Sequence, residues 1–171
     1  MKAPEMIKHV LVAVGADLSP GALSVGIARA RENGAQLTLL HVVDSTPWWA
    51  LAAAEHGCGD VLVAIDQHAH AVEQHCKDAI ERATLDTPAQ VLILRLQHGS
   101  IGRAIANAAE ELDVDLIVIG AGQESSWCFW RQRTSDAVAR CTGRAVLIAT
   151  APERARQERT PQRPAIHAHA S

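Results

Sequence analysis

The run DLIVIGAG at residues 115–122 constrains the fold of this chain more than any other feature of its sequence. An acidic residue opens a short apolar stretch, which ends in a turn with glycines at positions 120 and 122. A continuous apolar run bounded by turn signals predicts a parallel strand that is covered on both faces of its sheet. Open parallel sheets bind ligands at the carboxyl ends of such strands. Gly120 and Gly122 therefore mark the first place to look for a ligand site.

Apolar runs and helical patterns alternate along the rest of the chain. Strands are predicted at residues 10–14, 36–43, 91–96, 115–119 and 144–150. Helices are predicted at 20–32, 61–84, 100–112 and 131–141, the first of them capped by Ser19 and closed at Gly34. Strands that alternate with single helices are joined by right-handed parallel crossovers. The sequence thus predicts a doubly wound α/β fold, with a five-stranded parallel sheet and helices on both faces.

The chain divides into one domain, residues 1–150, and a tail, residues 151–171. The domain is long enough to bury a single core. The tail holds four arginines against two glutamates, three prolines and almost no large apolar residue. This composition predicts a disordered segment, because it offers too little apolar surface to offset the entropy of ordering.

Charge and composition argue against nucleic-acid and membrane partners. A net charge of −3 argues against a polyanionic partner such as nucleic acid. No apolar run approaches the ~18 residues of a membrane helix, and the first eight residues contain no apolar signal segment. The four cysteines form no CxxC pair. We therefore predict a cytoplasmic protein with reduced thiols and no membrane partner.

Several motifs, in order along residues 7–150, resemble the universal stress protein family. They are the opening strand VLVAV with its Asp-Leu-Ser-Pro turn, ARENGAQLTLLHVV at 30–43, GSIGRAI at 99–105, DLIVIG at 115–120, and the closing AVLI at 145–148. The resemblance implies a Rossmann-like sheet, related to the adenine-nucleotide alpha hydrolases, in the strand order 3-2-1-4-5. It also implies a non-enzymatic stress-response module that acts through protein partners.

The same resemblance implies a homodimer. In the family the fifth strand pairs with its two-fold mate, and the corresponding residues here are Ala145, Val146, Leu147, Ile148 and Ala149. An apolar strand at a sheet edge needs such cover.

The family divides into an ATP-binding branch, whose loop reads G-x-x-G, nine residues, then G-[S/T], and a UspA-type branch that lacks those glycines. Counted from Gly120, the second and third glycines are Gln123 and Arg133, and the hydroxyl is Thr134 or, with a one-residue gap, Ser135. No glycine occurs from 123 to 142. Because a phosphate nest needs backbone conformations that a Cβ disfavours, loss of tight ATP binding is expected.

Other residues bear on the same ligand. The family's acidic residue after the first strand corresponds to Gly15 or, with a short gap, to Asp17, and Val42 would line an adenine pocket. The alternative hypothesis is a degenerate site that binds ATP or AMP. Arg131 and Arg133 would help there, since arginine binds phosphate bidentately. Otherwise no cofactor is expected.

Metal and nucleophile motifs are weak. His68, His70 and His75 do not form an HExxH or an i,i+4 histidine pair, and we predict surface histidines and no metal site. Ser19, Ser100 and Ser135 fit helix caps or turns, and no G-x-S-x-G elbow occurs. No catalytic residue is predicted, and the protein is not expected to be an enzyme.

Two tryptophan-rich segments leave alternatives open. Trp48 and Trp49 follow the second strand, and they either pack over the sheet or form a protein-interaction surface. Trp127 and Trp130 lie where the family's phosphate loop would be, where they could fill the pocket in place of a ligand.

Overall fold

The computed structural model describes residues 6–15, 18–44, 59–83, 85–96, 100–120 and 134–149. Strands and helices alternate along these residues as predicted. They are β1 (His9–Ala13), α1 (Pro20–Asn33), β2 (Gln36–Asp44), α2 (Gly59–Ala83), β3 (Ala89–Leu96), α3 (Ile101–Glu111), β4 (Leu116–Gly120), α4 (Thr134–Cys141) and β5 (Ala145–Ala149). None of the helices in these ranges is long and apolar enough to span a membrane. The 151–171 tail and both tryptophan-rich segments lie outside the described residues.

The five strands form one parallel sheet in the order β3-β2-β1-β4-β5, which confirms the predicted topology. Val12 of β1 lies opposite Leu39 of β2 and Val118 of β4. Helices α1 and α2 cover one side of the sheet, the α1 face, and α3 and α4 cover the other, the α3 face.

Alternate residues of each central strand enter two separate cores. On the α1 face, Val10, Val12, Leu37, Leu39 and Val118 pack against side chains that include Val72 and Cys76 of α2. On the α3 face, Leu11, Leu40 and Ile117 pack against Ile105 and Ala109 of α3 and Val138 of α4. Burial on both faces explains why the central strands are continuous apolar runs in the sequence.

Glycines allow two close helix contacts. A Cβ on Gly26 of α1 would lie 2.1 Å from Val12 Cγ2, and one on Gly102 of α3 would lie 2.5 Å from Ala137 Cβ. Neither distance is compatible with a side chain, so α1 packs directly on β1 and α3 directly on α4.

The helix ends follow the sequence signals with one exception. Gly34 adopts φ 59° and donates its N–H to Ala30 and Arg31, and the Ser100 hydroxyl accepts from Arg103 N at 3.3 Å. Ser19 was predicted to cap α1 in the same way, and this was wrong. It occupies the N-cap position in a left-handed conformation, but its side chain makes no capping hydrogen bond.

A polar network fastens the amino ends of the strands. The Asp115 carboxylate accepts from the backbone N–H groups of Lys8 at 2.7 Å and His9 at 3.0 Å. These bonds join the start of β1 to the start of β4. They also explain why Asp115, predicted as the first residue of the fourth strand, precedes it.

The His9 ring extends this network on the α3 face. Its Nδ1 donates to the Leu112 carbonyl at 3.0 Å, since a carbonyl can only accept. In the neutral ring Nε2 then accepts from the buried Thr38 hydroxyl at 2.8 Å, and that oxygen accepts from Gln90 Nε2 at 3.0 Å. One chain of hydrogen bonds thereby connects β1, β2 and β3.

Candidate functional site

The sheet has its topological switch point between β1 and β4. Helix α1, which follows β1, lies on the α1 face, and α4, which follows β4, lies on the α3 face. Doubly wound proteins bind their ligands in the crevice at the carboxyl ends of the strands that flank such a switch point. Two predicted site residues lie here: Gly15 shortly after β1, and Gly120 as the last residue of β4.

The turn after β1 is held by its own hydrogen bonds. Gly15 N donates to the Ser19 hydroxyl at 2.9 Å, and Leu18 N donates to the Gly15 carbonyl at 3.0 Å. Leu18 and Ser19 both have positive φ angles, 63° and 36°. Non-glycine residues in this region are uncommon, and two in succession mark a strained turn. The Gly15 amide is thus already used within the protein.

Gly120 brings the end of β4 against this turn. A Cβ on Gly120 would lie 3.4 Å from Ser19 Oγ and 3.9 Å from Ala22 Cβ. These are ordinary van der Waals distances, and the φ angle of Gly120 is not positive. Ser19 therefore occupies the space beside Gly120, and it links the two glycines predicted for the site.

The hydroxyl residues of the predicted loop begin α4. The Thr134 side chain is exposed, while its carbonyl lies 3.3 Å from where a Gly102 Cβ would be. Ser135 is buried. Both residues lie in the first turn of α4, whose free N–H groups carry partial positive charge.

The end of β2 contributes one core residue and one polar residue. Val42, predicted for an adenine pocket, is buried in the core of the α3 face. His41, its neighbour, is buried on the other face, and its Nδ1 donates to the Val14 carbonyl at 2.8 Å. The ring of His68 from α2 meets it edge-on, with 6.3 Å between centroids. His41 was not predicted as a site residue, although a histidine inside an apolar strand is a signal that the sequence contains.

Three predicted site residues, Asp17, Gly122 and Arg133, lie outside the described residues. The structure therefore brings together Gly15 and Gly120 through Ser19. It puts Val42 in the core and Thr134 and Ser135 at the start of α4.

The three histidines of α2 were predicted to lie at the surface. His68 and His70 are exposed, as predicted, and His75 is half-buried. His70 Nδ1 lies 3.9 Å from a Glu73 oxygen, and a hydrogen bond from Lys77 lowers the pKa of Glu73. Within the ranges that the structure covers, no group of three potential ligands could hold a metal ion.

The two described cysteines differ in environment. Cys76 is fully buried on α2, and burial raises the pKa of its thiol to about 11. Cys141 is exposed at the end of α4. A buried neutral thiol is a packing residue, because only the thiolate is nucleophilic.

The predicted dimer strand forms one edge of the sheet. Among the described strands β5 pairs only with β4. Ala149 is buried and Val146 and Leu147 are half-buried, whereas Ala145 is exposed and Ile148 exposes 49% of its surface. Four of the five apolar residues of β5 are therefore partly or largely exposed to solvent.

Comparison with known proteins agrees with the fold and the motifs. The sequence model of the universal stress protein family matches residues 6–149. The universal stress protein A homolog of Haemophilus influenzae is 27% identical over 137 residues, which cover 77% of this chain and 86% of the relative.

Two solved structures share the fold. A universal stress protein in complex with cAMP superposes with a TM-score of 0.63 at 18% identity, covering 86% of this chain and 100% of that one. The universal stress protein from Archaeoglobus fulgidus in complex with dAMP gives a TM-score of 0.57 at 16% identity, covering 85% and 99%. Because the family model spans most of the sequence, the chain belongs to the universal stress protein family.

Proposed function

We propose that this protein is a non-enzymatic, homodimeric stress-response module of the cytoplasm that does not bind ATP tightly. The observation that carries the proposal is the apolar edge strand β5, from which Ile148 extends half-exposed.

The dimer follows from how sheet edges behave. An edge strand presents unpaired backbone groups, and proteins protect such edges with charges, prolines or bulges. The sequence of β5, AVLIA, contains neither a charge nor a proline. A second copy related by a two-fold axis would cover Ile148 and the backbone edge together, in an isologous interface.

The expectation of weak ATP binding rests on the backbone N–H groups that would have to bind the phosphates. A triphosphate needs several free N–H groups that point into one crevice. The Gly15 amide instead donates to Ser19, and Ser19 lies against Gly120. Gln123 and Arg133 replace two glycines of the ATP-binding branch, so their backbone positions disfavour a nest as well.

Calorimetry tests this part of the proposal. Nucleotide-stripped protein is titrated with ATP and Mg²⁺, and we expect no binding in the micromolar range. The double variant Gln123→Gly and Arg133→Gly, which restores the two glycines, is expected to bind ATP more tightly than the natural chain. Micromolar binding by the natural chain would contradict the proposal.

A mononucleotide of the AMP class is the second candidate ligand for this crevice. Two relatives of the same fold were solved with cAMP and dAMP. Ser135 also places a buried hydroxyl residue in the first turn of α4. A single phosphate needs fewer donors than a triphosphate. Titration with AMP should then give heat that the Ser135→Ala variant reduces, and no heat from the natural chain would reject this candidate.

A further inference from the structure

The second edge of the sheet, β3, lies at the opposite side from β5. Among the described strands β3 pairs only with β2, and none of its eight residues is fully buried. Leu92 and Leu94 lie on the α3 face, and Leu94 exposes 38% of its surface. Ile93 and Arg95 lie on the α1 face, opposite His41 and Val43 of β2. This edge is thus apolar on one face and mixed on the other.

An open groove of about 440 Å³ runs between α2 and this edge. Its lining residues are Asp66, Ala69, His70, Glu73, Ile93 and Arg95. The groove lies on the α1 face, where the side chains of a sixth strand beside β3 would fit. Two carboxylates line it, and both are paired: Asp66 with Arg95, which also lines the groove, and Glu73 with Lys77 at 2.6 Å. Over its whole length α2 carries five carboxylates against two cations. The groove therefore favours a polar occupant.

The tail contains a segment that matches both faces of this edge. At residues 165–170 the sequence AIHAHA alternates small apolar residues (Ile166, Ala168, Ala170) with His167 and His169, and no proline follows Pro164. Such alternation is typical of a strand with one apolar face. Four arginines precede it, and they complement the acidic charge of α2.

We propose that residues 165–170 of this chain add to β3 as a sixth strand, with Ile166, Ala168 and Ala170 beside Leu92 and Leu94, and with His167 and His169 in the groove near Asp66 and Glu73. Backbone hydrogen bonds give affinity in strand addition, and alternate side chains give specificity. A slip of one residue would exchange the two faces, so the alternation fixes the register.

The length of the tail permits this arrangement. The residues between β5 and the added strand, 150–164, can span up to ~50 Å when extended. The two edges of a five-stranded sheet are only ~19 Å apart, at about 4.8 Å for each neighbouring pair. The composition of the tail predicts disorder for the tail in isolation. Six of its residues can still become ordered when they bind to the edge of β3, because disordered segments can fold on binding.

Residue-resolved amide hydrogen exchange, measured by NMR, tests the proposal. The full chain is compared with a chain that ends at Thr150, which keeps every described strand and helix. In the full chain the alternate β3 amides that point away from β2 should exchange at least about tenfold more slowly, while β5 amides keep their rates. Equal β3 rates in the two chains would overturn the proposal.

Matched variants locate the contact. Ile166→Asp should abolish the protection, and Ala155→Asp, which adds the same charge to the tail outside the alternating segment, should preserve it. Glu73→Lys in the groove should weaken the protection, whereas Asp78→Lys, the same change at an exposed position of α2, should not. A synthetic peptide of residues 151–171 should restore protection to the shorter chain. Protection in the shorter chain alone that rises with protein concentration would instead assign this edge to a second copy, and would overturn the proposal.

Discussion

At the scale of single residues, the fit between α1 and β1 depends on the missing side chain of Gly26. Alanine would improve the helix propensity of this position by about 1 kcal/mol. However, its Cβ would lie 2.1 Å from a methyl of Val12, which is fully buried. Overpacking of a dense core costs roughly 1–3 kcal/mol, which exceeds the gain.

Because a 2.1 Å contact is far inside van der Waals distance, the upper part of that range applies, and we expect Gly26→Ala to lower the free energy of unfolding by about 1–2 kcal/mol. Gly143→Ala is the matched control, because a Cβ there would meet nothing within 4 Å. Urea unfolding followed by circular dichroism measures both. A Gly26→Ala protein as stable as the control would show that α1 does not pack on β1 as described.

The buried thiol of Cys76 gives a second residue-scale prediction. With a pKa of about 11 the thiol is almost wholly protonated at pH 8, whereas the exposed Cys141 is open to reagent. Alkylation of the native protein, followed by peptide mass spectrometry, should modify Cys141 and spare Cys76. Addition of urea should make Cys76 react, and rapid native labelling of Cys76 would contradict its burial.

The same pKa sets a limit on alkaline stability. The folded pKa of Cys76 is raised above its unfolded value of about 9, so burial of the neutral thiol stabilises the fold fully below pH 9. This contribution declines as the pH rises from about 9 toward 11. A Cys76→Ala protein should therefore lose less stability than the natural chain over that interval.

At the scale of strands and helices, the Thr38 hydroxyl joins three strands. It donates to His9 and accepts from Gln90, so Thr38→Val would leave both partners without this bond. We expect a loss of roughly 1–3 kcal/mol in the free energy of unfolding. Thr87→Val is the control, because Thr87 Oγ1 is buried without a hydrogen bond to any described residue, and its removal should be neutral or stabilising. Equal effects of the two substitutions would argue against the network.

The elements themselves were largely predictable from the sequence. Apolar runs predicted all five strands, because the central strands are covered on both faces. Gly34 and Ser100 predicted the ends of their helices, because capping depends on contacts within a few residues. The predicted side-chain cap by Ser19 was wrong, because the contacts of this side chain are set by tertiary structure. Its hydroxyl bonds to Gly15 and its neighbour is Gly120, contacts that depend on how β1 and β4 are placed. The hydrogen-bond partners of His9 and His41 could not be predicted either, because they are distant in sequence.

At the scale of the whole molecule, the two sheet edges are assigned different roles. We propose that β5 pairs with a second copy and that β3 accepts the tail. The two edges lie on opposite sides of the sheet, so both contacts can form in one assembly.

The dimer edge is tested by an exposed charge. Ile148→Lys would place an ammonium group within the apolar interface, and we expect a monomer in analytical ultracentrifugation. Leu94→Lys introduces the same charge at the opposite edge, at a residue of similar exposure, and should remain dimeric. If Ile148→Lys stays dimeric, the dimer does not form through β5.

Native mass spectrometry of the purified protein tests the dimer and the loss of tight ATP binding together, because one spectrum reports both the assembly and any retained nucleotide. We predict a dimer whose mass equals twice the chain, without an added ATP. A monomer, or a dimer that retains ATP at both sites, would contradict it.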